Sequence, residues 1–168
     1  FAREYFTNSI TSPQDVKLHL RVPYLGHVPK ITGEDRSALA LHTHTEPDSA
    51  AAEATRSIRT LLDLNPLKST VSRILVTSTI SAEGKTGTSI RLAIAFARLG
   101  RKVLLVDADL RRPTVHKVFN ANRSPGLTQL FDGASLETAV NKTDIPNLHF
   151  LPAGSSKSNG IELLASTR

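Results

Sequence analysis

Residues 73 to 109 constrain the fold of this chain more than any other part of its sequence. The run RILVTST at 73–79 is apolar and β-branched without alternation, which is typical of a strand buried on both faces. A helical pattern of apolar residues follows and stops at Gly100, and KVLLVDAD at 102–109 repeats the buried-strand pattern. Two such strands joined by one helix predict a right-handed crossover between parallel strands.

Elements on either side extend this unit into an alternating pattern. A helix is predicted over AAAEATRSIRTLLDL, with Asp48 or Ser49 as its cap and Pro66 as its stop. After Asp109, short helices are predicted in PTVHKVF, GLTQLF and SLETAV, followed by a third buried strand in LHFLPAG (148–154) and a helix beginning in IELLAST. The order predicts a doubly wound α/β fold with a parallel sheet.

The first 47 residues differ in pattern from the rest. Residues 1–22 are polar and mixed, and PYLGHVPK at 23–30, framed by two prolines, predicts a short edge strand. Residues 31–48 show no sustained period and predict a linker or loop. We therefore divide the chain into a linker segment, residues 1–47, and the N-terminal part of a compact domain, residues 48–168.

The composition excludes several classes of protein. The chain has 168 residues, 39% of them hydrophobic, which suits one soluble globular domain, and it contains no apolar run long enough for a membrane span. The absence of cysteine excludes disulfides, thiolate metal sites and cysteine nucleophiles. Methionine is also absent and the first residue is Phe1, so we expect an excised piece of a longer protein.

The charge balance permits anionic partners. The net charge is +6 and the pI is about 10, which allows binding to nucleotides, nucleic acid or the cytoplasmic leaflet of a membrane, or simply gives a basic surface. Only 5% of residues are aromatic and no long Lys/Arg block occurs, so a stacking platform for single-stranded nucleic acid is disfavoured.

The tripeptide Gly84-Lys85-Thr86 lies between the first predicted strand and its helix. Such a tripeptide is a weak signal alone, but here it stands where the N–H groups of a helix N-terminus converge on an anion. Glycine lets the backbone approach phosphate, lysine reaches the β- and γ-phosphates, and threonine can ligate Mg²⁺. Thr79 replaces the glycine that usually opens a phosphate loop, and a plain strand-to-helix turn is the alternative.

Asp107 and Asp109 lie at the carboxyl end of the next predicted strand. In an open α/β sheet, ligands bind outside that end. Residues two apart on a strand point the same way, so both carboxylates can face the loop, one towards Mg²⁺ and one towards an attacking group. Purely structural aspartates are the alternative.

The segment TSTISAEGKTGTSIRLAIAFARLGRKVLLVDADLRRPTVHKVF resembles the Walker A and Walker A′ segments of bacterial protein-tyrosine kinases. These are the cytoplasmic autokinases of capsule and exopolysaccharide assembly, and they are related to the MinD/ParA ATPases. In that family the front position of the loop is commonly a small hydroxyl residue, so Thr79 fits. The resemblance implies a three-layer α/β/α P-loop NTPase fold.

The resemblance also implies roles for individual residues. Lys85, Asp107 and Asp109 are expected to be catalytic, with Asp107 or Asp109 assisting deprotonation of a tyrosine hydroxyl, and Thr86 and Asp107 are expected to hold Mg²⁺. The residues expected to bind ATP are Ser81, Ala82, Glu83, Gly84, Lys85, Thr86 and Gly87.

A second family segment is E-x-x-R-x-x-R, which Glu53, Arg56 and Arg59 match. The resemblance implies that this segment mediates ring-like self-association. The alternative is a local pair between Glu53 and Arg56 at i,i+3, worth a few tenths of a kcal/mol. His42 and His44 have an H-x-H spacing, but in a polar linker we do not expect a metal site.

The chain departs from the family pattern at several positions. Ile80 stands where MinD/ParA proteins carry a signature lysine, which favours the kinase branch. Ser81 and Ala82 replace a usual Pro-Gly, and Gly87 replaces a usual Ser or Thr, which could weaken phosphate binding. The Walker B strand with its aspartate and the tyrosine-rich tail are expected beyond residue 168, so the fold is expected to be incomplete at the C-terminus and the piece alone inactive.

The resemblance implies an ATP-dependent protein-tyrosine autokinase domain that regulates exopolysaccharide or capsule polymerisation and export. The parent is expected at the cytoplasmic face of the bacterial membrane, with the piece itself soluble. Its expected partners are further copies of itself, a transmembrane polysaccharide co-polymerase region in cis or in trans, and protein tyrosines, but not nucleic acid. The alternatives are a MinD/ParA-type ATPase and a catalytically silent co-polymerase module.

Overall fold

The computed structural model describes residues 10, 12–33, 35–64, 73–80 and 82–155 of the chain. The α-helices are α1 (Pro13–Asp15), α2 (Arg36–Thr45), α3 (Ala50–Asp63), α4 (Lys85–Ala97), α5 (Val115–Val118), α6 (Leu127–Phe131) and α7 (Leu136–Ala139), and the strands are β1 (Val103–Val106), β2 (Asn141–Lys142) and β3 (Leu148–Leu151). A π-helical turn, Val16–Leu20, directly follows the first α-helix, α1.

The strands form one sheet in the order β1-β3-β2. β1 and β3 are parallel, with Val103 opposite Leu148 and Val106 opposite Leu151, which confirms the two later predicted strands and their direction. β2 is antiparallel to β3 and was not predicted, since two residues are too few to show a pattern. The described sheet is therefore mixed rather than purely parallel.

Helix α3 begins where the sequence predicts. The Ser49 hydroxyl caps it by accepting a hydrogen bond from the Ala52 N–H at 3.3 Å. The helix buries Ala51, Ala52 and Thr55 on the face that contacts α4. It ends at Asp63, and Pro66 lies outside the described residues.

The core lies where α4 packs against α2 and the sheet. Ile90 and Phe150 are fully buried, and Ile94 and Leu148 nearly so. The Phe150 ring stacks on that of Phe119, with centroids 4.9 Å apart. Because α4 is fixed on one side by this core, its N-terminal turn is held beside the carboxyl end of β1.

The predictions for the N-terminal segment are wrong in two places. Residues 36–45, predicted as linker or loop, form α2, which is capped by the Asp35 carboxylate and buries Ala40 and Thr43. The helix was missed because its buried face consists of small and polar side chains, which give little hydrophobic periodicity. Residues 23–30, predicted as an edge strand, have no strand structure.

The prediction of a buried strand at 73–79 is also wrong. Residues 73–78 have no regular secondary structure, and the Leu75 side chain is 87% exposed. A strand exists only when a neighbour supplies hydrogen bonds, and the described residues provide none for this segment. Leu104 and Val106 of β1 are likewise 44% and 43% exposed, so part of the β1 surface is also uncovered.

The short helices α5, α6 and α7 confirm the three helices predicted after Asp109, each shorter than its sequence pattern. The helix predicted in IELLAST lies outside the described residues. Within the described part of the chain, no helix is long and apolar enough to cross a membrane.

Candidate functional site

The N-terminus of α4 is an open turn that begins after a glycine. Gly84 is its N-cap, with φ 92° and ψ 18°, a left-handed conformation that favours glycine. Among the described residues no side chain caps this end, and the N–H groups of Lys85, Thr86 and Gly87, like those of any first helical turn, have no partner within the helix. The combination of free N–H groups and the positive end of the helix dipole suits a phosphate.

The front of the loop is held by Glu83. Its carboxylate accepts hydrogen bonds from the Thr79 N–H at 3.0 Å, the Thr79 hydroxyl at 3.1 Å and the Ile80 N–H at 3.3 Å. Thr79 thus closes the loop with its side chain where the usual pattern has a glycine. The motif places Glu83 in the loop but does not show this contact.

Asp107 follows β1 directly, and its N–H continues the parallel ladder by donating to Leu151 O at 2.9 Å. The residue is only 5% exposed. Its carboxylate accepts from the N–H groups of Asp109, Thr114 and Val115 at 3.1–3.2 Å. Burial raises the pKa of Asp107, while these three hydrogen bonds act in the opposite direction and fix the carboxylate in place.

Thr114 joins the aspartate segment to the loop. Its N–H donates to Asp107, and its hydroxyl donates to the Thr86 hydroxyl at 3.2 Å. No motif points to Thr114, because nothing in the sequence shows that two threonines 28 positions apart are in contact. Thr86 and Asp107 are therefore neighbours, as the predicted metal pair requires.

Lys85 and Asp109 form the second pair across the site. The Lys85 ammonium lies 3.8 Å from a carboxylate oxygen of Asp109, and both side chains are about one-third exposed. Asp109 also accepts from the Arg112 N–H at 3.0 Å, which orients its carboxylate. The four residues expected to be catalytic or metal-binding thus lie together, while Ser81 is outside the described residues.

The residues of the predicted self-association segment lie on α3 and contact their own chain. Arg56 pairs with Glu53 at 2.5 Å and donates to Pro47 O, so the local pair is present. Arg59 donates to Ala95 O of α4 at 3.2 Å. Glu53 and Arg56 remain solvent-accessible, with side chains 67% and 37% exposed.

His42 and His44 lie on α2, where residues two apart point in different directions. Among the residues that the structure describes, no group of three His, Asp or Glu side chains could hold a metal ion. The hydroxyl of Thr86 and the carboxylate of Asp107 are oxygen groups of the kind that can coordinate Mg²⁺ together with phosphate oxygens.

Comparison with known proteins agrees with this geometry. Residues 74–158 match the family model described as the CobQ/CobB/MinD/ParA nucleotide binding domain. The chain is 41% identical over 123 residues to the tyrosine-protein kinase YwqD of Bacillus subtilis, covering 73% of this chain and 52% of that protein. It is 38% identical over 122 residues to the tyrosine-protein kinase ptk of Acinetobacter johnsonii, covering 72% of this chain and 17% of that one.

Solved structures give the same result. The chimerical protein CapA2B2 superposes with a TM-score of 0.81 at 33% identity, covering 92% of this chain and 66% of that one. The kinase domain of the Escherichia coli tyrosine kinase ETK superposes with a TM-score of 0.80 at 26% identity, covering 93% and 65%. The chain thus spans about half the length of YwqD and two-thirds of these solved domains. It belongs to the CobQ/CobB/MinD/ParA family of nucleotide-binding domains, in the branch of the bacterial tyrosine-protein kinases.

Proposed function

We propose that this chain is the nucleotide-binding part of an ATP-dependent protein-tyrosine autokinase that regulates exopolysaccharide or capsule polymerisation and export. The observation that supports this most strongly is the contact between Thr86 and Thr114, because it places the open N-terminus of α4 beside the buried carboxylate of Asp107. A phosphate loop facing an aspartate is the arrangement that phosphoryl transfer needs.

Residues 81–87 bind the phosphates of ATP in this proposal, and residues 82–87 are among those that the structure describes. Gly84 has no side chain, so the backbone there can come close to the phosphates. The N–H groups of Lys85, Thr86 and Gly87 donate hydrogen bonds to the phosphate oxygens. The Lys85 ammonium supplies a compact positive charge, and its 3.8 Å pair with Asp109 keeps it at the mouth of the loop. The Thr79–Glu83 contacts hold the loop shape without a glycine at its front.

Thr86 and Asp107 would hold Mg²⁺, which would supply positive charge next to the phosphates of the nucleotide. The residues fit this role, since Asp107 is oriented by three N–H donors and Thr86 by the hydroxyl of Thr114. A carboxylate with a pKa raised by burial gains from a nearby cation, because the cation offsets the cost of its charge.

Asp109 is the better candidate to accept the proton of an incoming tyrosine hydroxyl. Its side chain is about one-third exposed, whereas Asp107 is buried and its carboxylate already accepts three backbone N–H groups. A general base must come within hydrogen-bond reach of the hydroxyl, and only an accessible carboxylate can do so. We propose that a neighbouring copy of the protein presents this tyrosine.

Glu53, Arg56 and Arg59 mediate self-association into rings in this proposal. Glu53 and Arg56 have side chains exposed enough to reach another subunit, whereas Arg59 is tied to α4. Replacing Arg56 by Ala in the natural protein should lower the oligomer mass measured by light scattering. Arg101→Ala is the matched control, because Arg101 also forms an ion pair within its chain, with Asp63 at 3.0 Å. Equal mass in the Arg56 variant and the control would contradict the role.

The remaining partners follow from the family. A transmembrane polysaccharide co-polymerase region, in cis or in trans, places the kinase at the cytoplasmic face of the membrane. Several relatives are named tyrosine-protein kinases, which supports protein tyrosines rather than nucleic acid as the acceptors.

The experiment incubates the natural protein that carries this chain with γ-labelled ATP and Mg²⁺, followed by phosphoamino-acid analysis. Label on tyrosine that disappears in Lys85→Met supports the kinase. Lys102→Met, which changes an exposed lysine just before β1, should leave the labelling intact. Free phosphate without labelled tyrosine would instead indicate an ATPase of the MinD/ParA type, and absence of nucleotide binding would indicate a silent co-polymerase module.

A further inference from the structure

We propose that Arg91 is a further phosphate-binding residue. Its guanidinium lies in the space left by Gly87 and adds a second side-chain cation, after Lys85, to the site for the nucleotide phosphates. This rests on the proposed function, because it extends the same site.

The position of the guanidinium follows from helix geometry. Arg91 lies one turn after Gly87, and helical side chains lean towards the N-terminus. A Cβ atom built on Gly87 would lie 2.9 Å from one terminal nitrogen of Arg91 and 3.5 Å from its Cζ and other terminal nitrogen. The guanidinium therefore covers the first turn of α4, where a side chain at position 87 would otherwise stand.

Gly87 has no other evident reason to be glycine. It lies inside α4, and its φ is not in the left-handed range that favours glycine. A glycine inside a helix is less favourable than alanine by about 1 kcal/mol. A Cβ atom at position 87 would force the flexible end of Arg91 to shift, so Gly87 leaves room for the guanidinium where it now lies.

The hydrogen-bonding groups of Arg91 are only partly used. One terminal nitrogen donates to Leu39 O of α2 at 3.3 Å, and the other donates to the Thr88 hydroxyl at 3.5 Å. The Nε atom is buried and has no hydrogen-bond partner among the described residues. Desolvation lowers the pKa of Arg91, and no carboxylate of the described residues lies within ion-pair distance.

A phosphate group suits this environment. The Gly87 N–H is one of the free donors at the start of α4, so an anion bound there would lie next to the guanidinium. Guanidinium groups bind phosphate oxygens through paired N–H donors, and a half-buried cation without a counter-charge gains from such a partner. Lys85 then offers the phosphates a compact positive charge, and Arg91 offers them a pair of N–H donors from the same end of α4.

The test is a titration of the chain with a fluorescent ADP analogue and Mg²⁺. Arg91→Met keeps much of the side-chain length but removes the charge, and it should raise Kd roughly tenfold or more. Arg98→Met is the matched control, because Arg98 lies at the other end of α4 and also donates to a carbonyl of α2, His44 O at 3.0 Å. It should leave Kd unchanged while removing a similar contact between α2 and α4.

Gly87→Ala is a second variant that keeps Arg91 and only displaces its guanidinium. It should weaken ADP binding in the wild-type background and have no further effect when Arg91→Met is already present. An Arg91→Met chain that binds ADP as tightly as wild type, with a Tm lowered as in Arg98→Met, would overturn the proposal and leave Arg91 as a link to α2. A wild-type chain that binds no ADP would overturn the proposed function as well.

Discussion

Replacing Thr114 by Val tests the contact that joins the two halves of the site. Valine keeps the shape of the side chain and leaves the N–H donor to Asp107 in place, but it removes the hydroxyl that donates to Thr86 at 3.2 Å. A single neutral hydrogen bond contributes about 1 kcal/mol net. We therefore expect the free energy of unfolding to fall by about 1 kcal/mol.

The assay is urea denaturation, in which the midpoint should fall by about 0.5 M at a typical slope for a chain of this size. Thr114→Ser keeps the hydroxyl and is the control, expected within about 0.5 kcal/mol of wild type. A double-mutant cycle with Thr86→Val isolates the pair and should give a coupling of about 1 kcal/mol. A coupling of zero within error would refute the contact and the fixed placement of the loop beside Asp107.

Three further predictions test the site and its supports. Burial raises the pKa of Asp107, so its carboxyl stabilises the fold below its ordinary pKa and loses this effect as pH rises through the raised value. In urea titrations with EDTA present, the wild type should therefore gain stability relative to Asp107→Asn as pH falls from 7 towards 4. The opposite trend would contradict this prediction. Gly126→Ala should lower stability by about 3 kcal/mol in the same assay, because its Cβ would lie 2.3 Å from Pro152 O and 2.4 Å from Gly154 N, and an unchanged midpoint would contradict the packing. Phe150→Ala, at a fully buried ring, should cost about 3–5 kcal/mol by thermal or urea unfolding, and a cost below about 1 kcal/mol would contradict its place in the core.

The sequence predicted those parts of the fold whose pattern is strong and local. The apolar run before Asp107 and the run at 148–151 form paired parallel strands, and the Gly-Lys-Thr tripeptide begins a helix at the predicted place. Ser49 caps α3 as expected. In each case the signal lies within a few residues of the element it predicts.

The errors have a common physical cause. The run at 73–79 has the composition of a buried strand, but composition does not show whether a neighbouring strand supplies the hydrogen bonds, and here the described residues supply none. Helix α2 is stabilised by packing on α4 more than by its own pattern, so periodicity missed it.

The motifs indicated which residues lie together but not how they contact one another, and the roles of these residues stay predictions. Lys85, Thr86, Asp107 and Asp109 lie together as the motifs indicate. The contact of Thr114 joins parts of the chain that no sequence motif relates. Arg91 lies only one helical turn after Gly87, but the sequence does not show that its guanidinium folds back over this glycine. The predicted boundary between residues 47 and 48 stays a prediction.

Binding of nucleotide phosphates by the loop at the start of α4 is the central proposal for this chain. Isothermal titration of the chain with Mg²⁺–ADP measures this directly, with Lys85→Met as the site variant and Lys102→Met as its control. We expect one binding site in wild type and in the control, and a loss of affinity of at least tenfold in Lys85→Met. Binding of equal strength in all three proteins, or no binding by the wild-type chain, would contradict the claim.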